Sequence, residues 1–359
     1  MSRLGKILFV VPYPKGTAAS QRFRFEQYLD ILNKAGWEYE YHSFLSPKAW
    51  KILYLPGNVA AKALEIFLGF CRRMLLLTRI KQFDYVFIHR ETAPLGPPVF
   101  EWVAAKLFGA KIIYDFDDAI WIPNVSESNR VFGFLKRYKN TESLSRLAYK
   151  VSCGNAYLCE YAKKFNPNVV LNPTTIDTEN LHKPNTGQIP NHKPIIGWTG
   201  THSTIRYMNE ILPILKELEN TIDFEFRVIS DRKPDFELKS LKYLKWNEST
   251  EIADLSAIDF GIMPLVHDQW SEGKCGFKAL QYMSLGKPAL VSPVGVNTEI
   301  VDNGVDGFVC ATPAEWLSAF NNLLTNPTLL NEMGSRTRRK VENRYSVKSN
   351  TANFLKLFS

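Results

Sequence analysis

Short apolar runs alternate with amphipathic segments along the chain. In the first half, six runs rich in β-branched and aromatic residues predict β-strands: KILFVV, YEYHSF, YVFIH, KIIYDF, KVSCG and NVVLNP. Between most of these runs, apolar side chains recur at helical spacing, as at Phe25, Tyr28, Leu29 and Leu32. The alternation predicts a sheet of parallel strands joined by helices.

The same pattern begins again in the second half. Its predicted strands are PIIGWTG, FEFRVIS, KYLKW, DFGIMPL, PALVS and GFVCA. The stretch between the halves, TTIDTENLHKPNTGQIPNHKP, is rich in Pro, Asn and Thr and lacks apolar periodicity, which predicts a linker. Because the strands are almost continuously apolar, we expect an α/β protein with two doubly wound, Rossmann-like parallel sheets. We assign residues 1–180 to the first domain and residues 181–340 to the second.

Polar residues follow the predicted strands at their carboxyl ends. In the first half these are Gly16, Arg22, the triplet His89–Glu91 and the acidic stretch DFDD. In the second half they are residues 199–204, residues 231–232 and the segment after GIMPL. Ligands of doubly wound sheets bind outside the carboxyl ends of the strands. We therefore expect these residues to line a central cleft between the two domains.

Composition and charge limit the partners of the chain. The formal net charge of +8 favours anionic partners such as nucleotides or an acidic membrane face. Five scattered cysteines match neither a disulfide framework nor a zinc spacing, so we expect a cytoplasmic protein. Nucleic acid is not an expected partner, because no basic and aromatic recognition motif accompanies the charge.

The segment SEGKCGFKALQYMSLGKPALVSPVGVNTEIVDNG concentrates candidate binding groups. It predicts a short helix over residues 277–285, ended by Gly286 and Pro288. The free N–H groups of its first turn suit an anion such as phosphate. Lys274 in the preceding loop and Lys278 in the first turn add positive charge. The alternative is that both lysines are solvated surface charges and Gly286 is only a helix end.

Further polar groups follow in the same segment. Gln281 lies one turn after Lys278 on the same helix face and can offer its amide to a sugar hydroxyl. Gly295 predicts a second tight turn, Asn297 is the candidate cap of the next helix, and Glu299 lies in that helix's first turn.

The stretch GFKALQYMSLGKPALVSPVGVNTEIVDNGVDGFV resembles the donor-site motif of family 4 glycosyltransferases, which are retaining enzymes of the GT-B fold. The usual motif is E-G-x-G-x-P-x-x-E-A-M-A-x-G-x-P-V-V, followed by G-G-x-x-E. LNPTTIDTENLHKP is similar to the family's P-N-G-V-D-T-x-x-F-x-P. VVPYPKGTAASQRFRFEQYLDIL, IHRETAPLGPP, IIYDFDDAIW and IGWTGTHST resemble one subgroup that builds bacterial surface glycans. The likeness covers nearly the whole chain.

This resemblance implies a fold and an activity. The first domain would bind the acceptor, the second would bind the sugar nucleotide, and residues 341–359 would pack back on the first domain. The implied reaction moves a sugar from a nucleotide-sugar donor, the co-substrate, to a glycan or lipid-linked acceptor with retention of configuration. It needs no metal and no separate cofactor. Peripheral contact with the anionic inner face of the cell membrane would suit the basic surface.

The resemblance and the strand-end rule together give the candidate site residues. The expected catalytic residues are Asp117, Lys278 and Arg22. The expected donor-binding residues share a position at strand ends, in glycine turns or in the helix that follows them: Gly16, Gly200, Thr201, Ser203, Arg232, Lys274, Gly276, Phe277, Gln281, Val296, Asn297 and Glu299.

The sequence departs from the family motif at informative positions. The family's two spaced glutamates fall on Gly273 and Gln281, and Glu272 replaces the first only if the loop shifts. The Arg and Lys that usually follow the first strand of the second domain are absent. The hydroxyls of GWTGTHST stand there instead, so Lys274, Lys278 and Arg232 must supply charge for a diphosphate.

Several residues of the first half have a plainer alternative. Asp117 is the expected acid that orients a sugar hydroxyl, whereas Asp115 and Asp118 are alternatives that cap the following turn. Arg22 points toward the cleft or only packs its aliphatic stem. The triplet His89–Glu91 belongs to the site or is a self-paired surface cluster.

Two broader alternatives stay open. The stretch AAKALEIFLGFCRRMLLLTRIKQF is the most hydrophobic of the chain and carries several cations, so it either lies in a membrane interface or packs on the first sheet. A GT-B sugar-nucleotide epimerase or a non-catalytic nucleotide-sugar-binding protein would share the expected architecture. Nucleotide release only in the presence of an acceptor separates a transferase from an epimerase. Binding of a sugar nucleotide without turnover against any glycan acceptor would favour the non-catalytic protein.

Overall fold

The computed structural model describes residues 4–53, 55, 57–123, 138–184 and 193–359. The chain forms two compact units, Met1–Thr174 with Thr351–Ser359, and Thr175–Asn350. These limits differ from the expected boundaries after residues 180 and 340, because the chain rejoins the first unit only after Asn350. The middle of the expected linker, residues 185–192, lies outside the described residues.

The first unit is built on a parallel sheet in which the order is β2-β1-β3-β4-β5-β6. All six strands predicted for the first half are confirmed. Their bounds are β1 Gly5–Val11, β2 Trp37–Ser43, β3 Tyr85–His89, β4 Ile112–Phe116, β5 Lys150–Cys153 and β6 Val169–Leu171.

Helices connect these strands. The α-helices span Ala19–Arg22, Leu29–Lys34, Pro47–Leu53, Val59–Leu77, Val99–Trp102, Asn140–Leu147 and Ala156–Lys163. Shorter 3₁₀ turns span Glu26–Tyr28 and Ile80–Gln82, and a π-helical turn spans Val103–Leu107. The aromatic core stacks Phe9, Phe25 and Phe87 with ring centroids 5.0–5.2 Å apart. These contacts follow from the predicted amphipathic pattern, which turns Phe25 toward the sheet.

The end of the chain belongs to this core. Helix Val347–Leu355 runs from the second unit into the first and is followed by a 3₁₀ turn, Lys356–Phe358. The ring of Phe354 stacks on Tyr28 with centroids 4.2 Å apart, and Phe358 packs 6.2 Å from Phe87. The last residues of the chain therefore help to bury the first sheet.

The second unit repeats the architecture with a different strand order, β12-β11-β10-β7-β8-β9, again all parallel. The six strands predicted for the second half are confirmed as well. Their bounds are β7 Ile195–Gly200, β8 Glu225–Ser230, β9 Leu241–Lys245, β10 Phe260–Met263, β11 Ala289–Val291 and β12 Gly307–Val309.

The helices of the second unit cover its sheet. They span Leu212–Leu218, Glu251–Ser256, Gln269–Glu272, Phe277–Ser284, Asn297–Ile300, Pro313–Thr325 and Pro327–Lys340, with a 3₁₀ helix at Ile205–Glu210 and a π-helical turn at Val341–Tyr345. The core gathers Trp198, Phe226, Phe260 and Phe320. Among the described helices, none combines the length and the apolar character needed to cross a membrane.

The strand orders locate the point where each sheet reverses direction. In the second unit the chain starts at β7, moves outward to β9 and then returns to the other side of β7 at β10. In the first unit the reversal falls between β1 and β3. At such a point the connections leave in opposite directions, and a crevice opens at the carboxyl edge of the sheet. The crevice between β7 and β10 is therefore the first place to look for a ligand site.

Candidate functional site

The two central strands of the second unit separate toward their carboxyl ends. Their described pairing joins Phe260 to Ile196 and Gly261 to Gly197. Beyond it the hydroxyl of Tyr282 accepts the N–H of Thr199 at 3.0 Å and lies 3.4 Å from the carbonyl oxygen of Ile262. A Cβ atom on Gly261 would lie 2.1 Å from the Tyr282 ring, so glycine is required there. Where the crevice begins, hydrogen bonds to a buried tyrosine thus replace the backbone hydrogen bonds between β7 and β10.

Helix Phe277–Ser284, called the Phe277 helix below, begins beside this crevice. Its cap, Gly276, has φ +67°, and a Cβ atom there would lie 2.0 Å from Ile300 Cδ1. Lys278 Nζ lies 5.7 Å from the centroid of the Trp198 ring, which belongs to β7. The structure therefore brings a lysine and the N–H groups of the first helical turn to the end of β7. The helix was predicted correctly, including its end at Gly286, where φ is +71°.

The loop before the Phe277 helix contacts the second glycine turn. Glu272 Oε2 accepts the N–H of Gly295 at 3.1 Å, and a Cβ atom on Gly295 would lie 2.8 Å from the Glu272 carbonyl oxygen. Gly295 has φ +55°. Lys274, in the same loop, lies over the Trp270 ring at 4.9 Å from its centroid. Glu272 thus joins the loop to the turn. The family's first glutamate would fall on Gly273, so the carboxylate next to that position has a structural role here.

Asn297 is buried in this turn. Its Nδ2 donates to the carbonyl oxygen of Ser292 at 3.1 Å, and its Oδ1 is buried without a hydrogen-bond partner among the described residues. The expected capping role is wrong, because Asn297 is the first helical residue and Val296 occupies the cap position without a side-chain bond. Glu299 lies exposed in the same first helical turn. The unpaired Oδ1 is an acceptor suited to a ligand hydroxyl or N–H.

The loop after β7 is held by its own hydroxyls. Thr201 Oγ1 lies 2.8 Å from Ser203 Oγ, and the Thr201 N–H donates to Thr204 Oγ1 at 3.2 Å. His202 Nδ1 and its backbone N–H both lie 2.7 Å from carboxylate oxygens of Asp231, which follows β8. Gly200 ends β7 directly before this loop. The predicted hydroxyl residues are therefore exposed at the carboxyl edge, in a turn stiffened by the pair His202–Asp231.

Arg232 and Gln281 are placed differently from each other. Arg232 is exposed next to Asp231 at the end of β8. Gln281 is buried, and its Nε2 donates to Glu251 Oε1 at 3.1 Å. The Trp246 Nε1–H also reaches this oxygen, at 3.3 Å. The Gln281 amide, which was expected to bind a sugar hydroxyl, thus donates instead to a buried carboxylate of helix Glu251–Ser256.

In the first unit, Asp115 joins several strands in a buried polar network. Its carboxylate lies 2.8 Å from His89 Nδ1, accepts the Ser152 hydroxyl at 2.6 Å, and pairs with the guanidinium of Arg24. Arg24 also donates to the carbonyl oxygen of Asn172. Burial alone would raise the pKa of Asp115, but the charge of Arg24 and the hydrogen bond from His89 outweigh it and hold the pKa below its usual range.

Two of the plainer alternatives are wrong as a result. Asp115 does not cap a turn, because both its oxygens are engaged in this network. His89 is fully buried beside Asp115, so the triplet His89–Glu91 is not a self-paired surface cluster. The second ring nitrogen of His89, Nε2, is buried without a hydrogen-bond partner in the described part of the chain.

Arg90 holds the acidic pair that follows β4. Its Nε donates to Asp117 Oδ1 and its guanidinium to Asp118 Oδ2, both at 2.7 Å. Arg90 has φ +58°, a left-handed conformation that a non-glycine residue rarely adopts. Such strain persists where surrounding bonds fix the backbone, and here the Arg90 carbonyl oxygen accepts the Tyr114 hydroxyl at 3.0 Å. The expected catalytic Asp117 is therefore a half-buried carboxylate oriented by a strained arginine.

The glycine loop after β1 is fixed by a separate set of bonds. The Gly16 N–H donates to Glu26 Oε2 at 2.8 Å, and Gly16 has φ +81° with open space around its α-carbon. Gln21, buried, links the backbone of Tyr13 to Glu26. Arg22 is half-buried at the end of helix Ala19–Arg22, and its guanidinium lies 5.1 Å from the Phe23 ring centroid.

Some functional candidates escaped the sequence reasoning. Arg24 was passed over for Arg22, although the alternation of Phe23, Arg24 and Phe25 marks a stretch buried on more than one side. Glu251 gave no signal, since its partner Gln281 lies on another element. Among the described residues no group of three or more His, Cys, Asp or Glu is arranged to hold a metal ion; independence of metal stays a prediction.

Comparison with known proteins identifies the fold. Residues 193–326, which run from before β7 through helix Pro313–Thr325, match the family model described as glycosyl transferases group 1. No curated protein matches the chain. A glycosyltransferase from Rickettsia africae is 15% identical, with 98% of this chain and 97% of that chain covered and a TM-score of 0.71.

Two other solved structures have the same architecture. HepE from Anabaena, solved in complex with UDP and glucose, is 14% identical over 99% of this chain and 100% of its own, with a TM-score of 0.68. A sucrose-phosphate synthase from Thermosynechococcus elongatus is 13% identical over 98% of each chain, with a TM-score of 0.70. The chain therefore has the GT-B fold, as the sequence predicted.

Proposed function

We propose that this protein is a retaining, metal-independent glycosyltransferase. It moves a hexosyl unit from a nucleotide-sugar donor, bound by the second unit, to a hydroxyl of a glycan or lipid-linked acceptor bound by the first. The observation that carries the proposal is the arrangement at the β7–β10 crevice. There the start of the Phe277 helix, Lys278 over Trp198 and the Gly295 turn meet at the reversal point of the sheet.

This arrangement suits a nucleoside diphosphate for three physical reasons. The first-turn N–H groups and the positive helix end favour anions. Lys274 and Lys278 add charge at the same end of the helix, and the aromatic faces of Trp270 and Trp198 hold their ammonium groups. The family match covers residues 193–326, which include the Phe277 helix and the Gly295 turn, and HepE, which shares the fold, was solved with UDP and glucose.

The main requirement of the reaction is stabilisation of the leaving diphosphate. As the bond between the anomeric carbon and the phosphate oxygen breaks, negative charge grows on the diphosphate, and preorganised N–H groups and lysines stabilise it. Attack from the face of the leaving group retains the anomeric configuration, and the diphosphate takes the proton of the acceptor hydroxyl. Asp117, oriented by Arg90, accepts a hydrogen bond from a sugar hydroxyl and positions it.

The missing second glutamate has a local substitute. Gln281 occupies that position, and the buried Glu251 accepts the hydrogen bond of its amide. Glu251 thus supplies a carboxyl group next to the Phe277 helix, although Gln281 itself has none. We assign the pair to the orientation of the donor ribose, with the unpaired Asn297 Oδ1 as a second acceptor near the Gly295 turn.

We place the reaction in the cytoplasm, at the inner face of an anionic membrane where lipid-linked acceptors are built. The cysteine pattern and the net charge of +8 support this location.

The test is a two-substrate assay. Purified protein is incubated with a panel of UDP-, GDP- and TDP-sugars, with and without glycan and lipid-linked acceptors, and free nucleoside diphosphate is measured. We expect release that requires acceptor, and a product whose anomeric configuration by NMR equals that of the donor. Sugar interconversion without acceptor, or binding without turnover across the panel, contradicts the proposal.

A further inference from the structure

Helix Val59–Leu77, called the long helix below, has an exposed apolar face. The opposite face packs inward through Gly69, Arg73, Leu76 and Leu77, and a Cβ atom on Gly69 would touch the Phe44 ring. Five large apolar side chains of the helix each expose more than half of their surface: Val59, Leu64, Phe67, Met74 and Leu75. Part of the hydrophobic stretch thus packs on the first unit, and the remainder faces outward.

The neighbouring helical segment enlarges this surface. Helix Val99–Trp102 contacts the long helix. This helix and the π-helical turn Val103–Leu107 that follows it expose further apolar side chains, at Val99, Trp102, Leu107 and Phe108. Lys81 Nζ, just after the long helix, lies 5.8 Å from the Phe108 ring centroid and joins the two segments. The exposed apolar side chains of both segments together are called the apolar face. Exposed apolar side chains gathered on adjacent helices mark interaction sites.

Positive charge accompanies the apolar face. Residues 47–83 contain seven Lys and Arg and one acid, Glu65, for a net +6 (7 − 1) out of +8 for the whole chain. Glu65 accepts a hydrogen bond from Ser46 at 2.8 Å. Lys48, Lys51 and Lys81 are exposed on the elements directly before and after the long helix. The surface therefore offers apolar side chains rimmed by cations.

We infer that the apolar face binds the surface of an anionic lipid bilayer, with the long helix lying in the interfacial plane. Anionic bilayer surfaces bind proteins that expose apolar side chains, a tryptophan and nearby lysines together. A second copy of this chain fits less well, because two faces flanked by exposed lysines repel each other. The inference deepens the proposed function, since it places the enzyme beside lipid-linked acceptors, but the binding itself needs neither donor nor acceptor.

The test uses the full chain and vesicles without any substrate. Wild-type protein is sedimented with vesicles of phosphatidylcholine alone and of phosphatidylcholine with phosphatidylglycerol. The variant L64Q/F67Q/L75Q should lower partitioning to anionic vesicles by about 10-fold or more, because it removes inserted apolar surface. The variant K48Q/K51Q/K81Q should lower it by on the order of 10²-fold and should remove the preference for phosphatidylglycerol. The matched control L171Q/L181Q/V305Q, which removes exposed apolar residues elsewhere, should bind as wild type does.

The outcomes separate this inference from the proposed function. Nucleotide release with a water-soluble acceptor should stay at the wild-type rate in all three variants, because none of them changes the β7–β10 crevice. If wild-type protein binds vesicles as expected but transfers no sugar, the proposed function fails and this inference stands. Equal binding of wild type and L64Q/F67Q/L75Q overturns the inference. So does a wild-type dimer that becomes monomeric in L64Q/F67Q/L75Q and ignores vesicles, because the apolar face is then a protein interface.

Discussion

Lys278 lies where two features of the second unit meet, the first turn of the Phe277 helix and the end of β7. The function of a side chain depends more on its neighbours than on its residue type, as Arg22 and Arg24 illustrate. Arg22 ends helix Ala19–Arg22 and Arg24 follows it two residues later, yet Arg24 is buried on Asp115 while Arg22 is half-buried against Phe23. The sequence indicates whether a lysine or arginine is buried or exposed only where the hydrophobic pattern around it is regular.

Replacing Lys278 tests the chemistry of the crevice. Lys278→Ala should lower kcat about 10²–10³-fold, because the lysine stabilises the diphosphate more in the transition state than in the bound donor. The apparent affinity for the donor should change less, since Lys274 and the backbone N–H groups remain. The matched control is Lys245→Ala, an exposed lysine at the carboxyl end of the edge strand β9. Steady-state kinetics with near wild-type kcat for Lys278→Ala would remove this residue from the reaction.

Replacing Asp115 tests the buried network. Asp115→Asn leaves Arg24 without its charge partner and should lower the free energy of unfolding by about 3–5 kcal/mol at pH 7. Glu142→Gln, which breaks the exposed pair Glu142–Arg146, should cost less than about 0.5 kcal/mol. Urea denaturation of the three proteins measures both values.

The pH dependence has a defined sign. Because the folded pKa of Asp115 lies below the unfolded value of about 3.9, its stabilisation is fully present above that pH and is lost as pH falls through the folded pKa. The difference between wild type and Asp115→Asn should therefore be constant from pH 5 to 7 and shrink below about pH 4. A difference that grows on acidification contradicts the assigned ionised state.

At the scale of elements, the sequence predicted the helices and strands better than the contacts between them. The Phe277 helix and both glycine turns followed from local rules, since Gly276, Gly286 and Gly295 all have positive φ. The bonds that join these elements did not follow. Gln281 donates to Glu251, thirty residues earlier in the chain, and no local pattern marks such a pair.

Gly276 provides a test of the cap geometry. Gly276→Ala forces a Cβ into a left-handed residue and against Ile300, and should cost about 1–2 kcal/mol for the backbone plus about 1–3 kcal/mol for the crowding. Gly304→Ala has a similar φ of +74° but open space around it, so it should cost the backbone part alone. Thermal unfolding of both variants measures the difference. Equal losses would show that the Gly276 turn is not packed against Ile300.

At the scale of the whole molecule, the two sheets differ in the point where they reverse, between β1 and β3 in the first and between β7 and β10 in the second. The sequence predicted twelve strands and the carboxyl edges that carry polar residues, because apolar runs and turn signals are local. It did not predict strand order, the Tyr282 hydroxyl between β7 and β10, or the bond between Arg90 and Asp117. These depend on which strands become neighbours, and that is decided by packing across the chain.

The activity should also be independent of metal as a property of the whole enzyme. Lysines and helix N–H groups supply the charge that a divalent cation would otherwise bring to the diphosphate. Turnover should therefore be unchanged in EDTA, with re-addition of Mn²⁺ as the comparison. Loss of turnover in EDTA that Mn²⁺ restores would reassign the acidic residues Asp117 and Asp118 to metal binding.

The most direct measurement of the central claim is ligand-induced stabilisation by a panel of sugar nucleotides and free nucleoside diphosphates. A ligand at about 100 times its dissociation constant stabilises the folded protein by roughly 2.7 kcal/mol. We expect at least one sugar nucleotide, and its free diphosphate, to raise the Tm of wild type and of Lys245→Ala. The rise should be much smaller in the double variant K274A/K278A at the same concentration. A panel that leaves the wild-type Tm unchanged, or a shift that K274A/K278A retains in full, would contradict donor binding at the β7–β10 crevice.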